Sequence, residues 1–115
     1  MSRKSWKHAE LVLARRLGGE RVPVTGRVRG WAPDIEHDHL ALEVKTRKNM
    51  PVLLREGMDQ AVKSAEWYER KGKGSRLPAL IIHEDGSHFD NALVVVRLRD
   101  ARDWWGFGDI PVPSS

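Results

Sequence analysis

The sequence predicts an α/β protein with a mixed sheet flanked by helices. Three observations lead there: 3.6-residue apolar periodicity over Ser5–Leu17 and again over Val52–Arg70, two strand-like runs between those helices, and two nearly continuous runs of Leu, Ile and Val at Pro78–Glu84 and Ala92–Leu98. The resulting order, α-β-β-β-α-β-β with a short final helix, suits an α/β sandwich. At 115 residues the chain is expected to form one domain, 1–115, with an extended or frayed tail over 107–115.

In the first helix Trp6, Ala9, Leu13, Ala14 and Leu17 share one side of the wheel, Lys4, His8, Arg15 and Arg16 take the other, and Gly18-Gly19 ends it. Glu10 breaks the pattern, because it stands within the apolar stripe, where a buried carboxylate needs a partner. Arg21–Gly30, with Pro23 and Gly26 among valines and arginines, reads as an edge strand and a basic loop. Ala32–Glu36 and Leu40–Lys45 read as a hairpin turning at His37-Asp38-His39. Pro51 suits the start of the second helix, whose stripe is Leu54, Met58, Ala61, Val62, Ala65 and Tyr68. Lys71–Arg76 reads as a flexible basic loop, and the last two apolar runs read as strands covered on both faces, joined by a turn at Glu84–Ser87. Asp100–Trp105 reads as a short helix stopped by Gly106.

Composition excludes several functions. Without cysteine there is no disulfide scaffold, thiolate metal site or cysteine nucleophile. No apolar run approaches the length of a membrane span, and the charged amphipathic start is unlike a secretion signal, so a soluble, cytoplasmic protein is expected. Twenty Lys and Arg against sixteen Asp and Glu give a net charge of +4, which favours anionic partners such as phosphate backbones.

The hairpin carries the chemistry. Residues two apart on a strand share a face, so Glu43 and Lys45 point one way and Val44 the other. A turn at Asp38-His39 sets Asp34 opposite Glu43, and carboxylates about 5 Å apart repel unless a cation lies between them. All-oxygen ligation suits Mg²⁺, with Mn²⁺ as a substitute, and such an ion takes one or two carboxylates with water and substrate phosphate. Lys45 would offset charge developing on the phosphorus. Glu10 becomes intelligible if its helix crosses this end of the sheet and reaches the metal directly or through water.

Pro33-Asp34, then Glu43-Val44-Lys45 at hairpin distance, preceded by a helix bearing Glu10, resembles the PD-(D/E)XK nuclease superfamily, and within it the small Holliday-junction resolvases of archaeal and phage type. The resemblance covers nearly the whole chain and implies a restriction-endonuclease-like α-β-β-β-α-β core. It implies that Asp34 and Glu43 are metal ligands, Lys45 the catalytic lysine and Glu10 an accessory carboxylate and metal ligand. It adds Gln60 as a catalytic-site residue, although Gln60 lies at the margin of its helix's apolar stripe. It also implies Mg²⁺-dependent hydrolysis of DNA phosphodiesters by in-line attack of metal-activated water, four-way junctions or other branched DNA as substrate, and a homodimer that makes two nicks. Arg47 and Lys48, which leave the strand of Lys45, and Arg27 and Arg29, which precede the aspartate strand, are the expected DNA contacts.

Other readings stay open. The chain could be another nuclease of the superfamily, acting on flaps, single strands or in restriction, or a non-catalytic basic nucleic-acid-binding module in which Glu43 and Lys45 form a surface salt bridge. His37 and His39 read as turn residues before metal ligands, and His83 as structural or near the site's mouth. Thr25 is a candidate hydroxyl before the aspartate strand. Trp67, Trp104 and Trp105 read first as core, next as interface, and last as a surface for stacking unpaired bases.

Overall fold

The computed structural model describes residues 3–23 and 33–106, with side chains from Lys7 onward. Thr25, Arg27, Arg29, most of the expected basic edge strand, the side chain of Trp6 and the expected tail over 107–115 lie outside the described residues. The chain is mixed α/β: α1 (Arg3–Leu17), β1 (Glu20–Arg21), β2 (Ile35–Glu36), α2 (Val52–Arg70), β3 (Leu80–Ile82), β4 (Leu93–Val95) and α3 (Leu98–Trp105), with a 3-10 turn at Phe89–Asn91. Where one domain was expected, the contacts group into two units, one built on the chain up to Lys48 and the other spanning Asn49–Gly106. All strand pairs among the described residues are antiparallel. None of the described helices is long and apolar enough to cross a membrane.

In the first unit α1 ends as its sequence dictates. Gly18 adopts φ 77°, its N–H donates to the Arg15 carbonyl at 3.3 Å, and the Gly19 N–H donates to Ala14 at 2.8 Å. These are the paired bonds of a Schellman cap, which satisfies carbonyls the helix leaves open. Gly19 is needed for a different reason: a Cβ there would overlap the Glu36 carbonyl oxygen and stand 2.8 Å from Ile35 Cγ2. The backbone therefore packs directly on β2, whose Ile35 is fully buried together with Ala14. β1 pairs with β2 as Glu20 to Glu36 and Arg21 to Ile35, and the Val22 N–H extends the pairing to the Asp34 carbonyl at 3.0 Å. On its other side Ile35 bridges Leu42, so the expected three-segment meander forms with strands shorter than the apolar pattern suggested.

In the second unit α2 spans the expected range and packs on β3 so closely that a Cβ on Gly57 would lie 2.7 Å from Leu80 Cδ2. β3 and β4 pair as Leu80 to Val95, Ile81 to Val94 and Ile82 to Leu93. The expectation that these strands are covered on both faces is not met: Leu80 and Ile82 are half-buried, while Ile81 and Val94 are 59% and 64% exposed. The Glu84–Ser87 turn forms, with Gly86 at φ 84°, and Gly106 at φ 74° stops α3.

Lys71–Arg76, expected to be flexible, is pinned. The Gly72 N–H donates to Glu69 and the Lys73 N–H to Tyr68 at 3.0 and 2.9 Å, a second Schellman cap. Arg76 then donates from Nη1 to the Lys73 and Ser75 carbonyls.

Gly19→Ala forces overpacking against β2 and is expected to destabilise the protein by about 1–3 kcal/mol in urea denaturation. Glu20 and Glu36 are like charges directly opposed across the pair, so Glu36→Lys is expected to stabilise by about 0.5 kcal/mol and raise the melting temperature.

Candidate active site

The buried charged residues among those described are Glu10, 3% exposed, and Asp34, 8% exposed. Both belong to the first unit, and both are sequence-predicted site residues. Asp34 is tied down by three segments. Its carbonyl accepts from Val22, its N–H donates to the Leu42 carbonyl at 3.1 Å, and its carboxylate Oδ2 accepts from the Val44 N–H at 2.7 Å. The last is a short, charge-assisted bond of the kind that makes carboxylate burial tolerable.

Ile35 bridges Leu42, the register that a turn at Asp38-His39 predicts. The ladder is irregular there. The Asp34 N–H also reaches Leu42, and the Val44 N–H is taken by a side chain and not by backbone. This explains why only a bridge forms where a strand over Leu40–Lys45 was expected. Leu42 and Val44 are half-buried while Glu43 and Lys45 are exposed, the alternation expected of a half-covered strand. Arg47 and Lys48 follow at once, both exposed.

Glu10 is buried, as its position in the apolar stripe demands, and the Arg21 Nε donates to its Oε1 at 3.0 Å. The Arg21 side chain is 20% exposed, that of Glu10 4%. This pairing was legible in principle, since a carboxylate buried by pattern needs a cation and Arg21 begins the next strand, but Arg21 read only as part of a basic edge. The described residues contain no group of three or more His, Asp or Glu side chains placed to hold a metal ion.

His37 is a turn residue. Its Nδ1 accepts from the His39 and Leu40 N–H groups at 3.0 and 3.1 Å, which leaves the proton on Nε2, 2.8 Å from the Leu17 carbonyl at the end of α1. His83 is likewise engaged locally, with Nε2 2.9 Å from the Ser87 carbonyl and its ring stacked on Phe89. Gln60 is exposed on α2 in the second unit.

No protein-family model, curated protein or solved structure matches the chain.

Arg21→Met removes the guanidinium from a buried carboxylate and is expected to cost about 2 kcal/mol in urea denaturation. Glu10→Gln keeps an acceptor for Arg21 and should cost less. A double-mutant cycle of the two should show coupling.

Proposed function

We propose that the chain is a metal-dependent, structure-selective DNA endonuclease of the PD-(D/E)XK kind that nicks four-way junctions as a homodimer. The observation that carries this reading is the Ile35–Leu42 bridge, whose register, continued by one residue, would set Asp34 opposite Glu43 with Lys45 two residues further on. The order of α1, two short strands with a bridged third segment, α2 and β3 is compatible with the α-β-β-β-α-β core that the resemblance implies, although the strands among the described residues form two separate antiparallel pairs and not one mixed sheet.

Asp34 and Glu43 would hold the cation, Mg²⁺ or Mn²⁺, and their chemistry fits it: two hard oxygen donors from neighbouring segments, one of them already oriented by the Val44 N–H. A cation so held would supply Lewis acidity toward the scissile phosphodiester and promote ionisation of water. Lys45 offsets charge building on the phosphoryl oxygens, and Arg47 and Lys48 hold the neighbouring backbone phosphates. Glu10, bound to Arg21, acts as a positioning residue that fixes α1 against β1.

A second reading has its own support. Each buried carboxylate already has a structural partner, Arg21 for Glu10 and the Val44 N–H for Asp34, as expected of a nucleic-acid-binding module without catalysis.

Asp34→Asn and Glu43→Gln separate the two, because the asparagine keeps an acceptor for Val44 and preserves the hairpin. With an end-labelled four-way junction, paired symmetric nicks are expected in Mg²⁺ or Mn²⁺ and none in EDTA. Each variant should lose cutting by roughly 100-fold or more while binding the junction at least as tightly. Undiminished cutting by Asp34→Asn would falsify the endonuclease assignment.

A further inference from the structure

We propose that the C-terminal end of α2 and the turn after it form a binding surface for single-stranded nucleic acid, in which Trp67 stacks on an unpaired base and the surrounding cations hold the backbone. The inference takes from the endonuclease reading only the class of ligand.

Charge comes first. Residues 63–76 carry five cations, Lys63, Arg70, Lys71, Lys73 and Arg76, against the carboxylates Glu66 and Glu69. That is +3 of the chain's +4 concentrated in fourteen residues. Favourable interaction with the negative end of a helix needs one or two cations in its last turn, and Lys63 lies well before that turn. None of the five forms an ion pair among the described residues.

The aromatic element comes next. Trp67 is 40% exposed, so part of its ring is open to a ligand. It packs edge to face with Tyr68 at 5.1 Å, the Lys73 ammonium stands 5.1 Å from its ring centre, and the Arg76 guanidinium lies 4.6 Å from that of Tyr68. A shallow, open depression of about 410 Å³ on α2 is lined by Lys63, Ser64, Trp67, Tyr68 and Arg70. Aromatic rings interleaved with cations along a groove are what unpaired nucleotides require: a π face for the base and a positive track for the phosphates.

The third element is order. The Schellman cap and the Arg76 bonds fix the backbone of the turn, with Gly72 and Gly74 at φ 69° and 90°, so the segment that carries the cations needs little further backbone ordering on binding.

The test measures binding of labelled oligothymidylate and of blunt duplex to the full chain in EDTA, by fluorescence anisotropy over a salt series, in the Asp34→Asn background. Working without cleavage keeps failure here distinct from failure of the endonuclease reading, which is judged by cutting. Trp67→Ala should weaken binding of the single strand roughly tenfold, and Trp67→Phe should retain most of it. Lys71→Gln with Lys73→Gln should lower the slope of log affinity against log salt by about 1.4, at about 0.7 per cation. Arg76 is spared because it pins the turn, and far-UV circular dichroism checks that each variant folds. Unchanged affinity in Trp67→Ala, or duplex bound as tightly as single strand by the unsubstituted surface, would overturn the proposal.

Discussion

The first unit depends on a carboxylate that has left water. Asp34 joins three stretches of chain at once, through its carbonyl to Val22, its N–H to Leu42 and its side chain to Val44. An apolar residue of similar size could keep the backbone bonds but not the third, and the Val44 N–H would then have to find another acceptor at a site that is 8% exposed. The irregular ladder follows from that bond. By taking the amide that a neighbouring strand would use, the carboxylate ends regular pairing where Glu43 and Lys45 turn outward. A fixed buried acid beside an exposed acid and an exposed ammonium is therefore one structural event and not three coincidences.

The same helix-ending device serves opposite purposes in the two units. After α1, Gly18 reverses the chain so that Gly19 lies against β2 with no room for a side chain, and the cap builds core. After α2, Gly72 and Gly74 face open space, where an added Cβ meets nothing closer than Arg76 Nη1 at 3.6 Å, and the cap displays charge. Both pairs of glycines look alike in sequence. What separates them is the residues that follow: a strand whose Ile35 partner demands close approach in the first case, and Lys, Ser and Arg in the second.

This contrast marks what the sequence could tell. α2 was legible to the residue because nineteen positions of consistent periodicity leave little choice of register or face. The burial of Glu10 was legible from the periodicity of α1, and the Ile35–Leu42 bridge agrees with a short turn of polar residues. Strand lengths were not legible, because a side chain competing for the Val44 amide leaves no mark on hydropathy. Ile81 and Val94 show the same limit: an unbroken run of Leu, Ile and Val reads alike whether one face of a two-stranded sheet is covered or both. The order of Lys71–Arg76 was missed because it resides in backbone bonds, while composition alone suggested a mobile linker.

Charge distribution adds a constraint on how any nucleic acid would be held. Residues 33–48, which include Asp34, Glu43 and Lys45, carry four carboxylates against three cations, so without a bound cation this segment repels phosphate slightly. Residues 63–76 carry the reverse balance, and more strongly. On the proposed reading, attraction and chemistry would fall on different stretches of the chain. Long-range capture would come from the α2 turn, would weaken with salt, and would not depend on Asp34 or Glu43. Approach of a phosphate to the hairpin would instead require that a divalent cation first offset its acids, which ties the reaction to metal while leaving binding free of it. The division also accounts for Lys45, Arg47 and Lys48 following Glu43 within five residues: they bring the acidic segment close to neutrality, so that one bound cation is enough to reverse its sign.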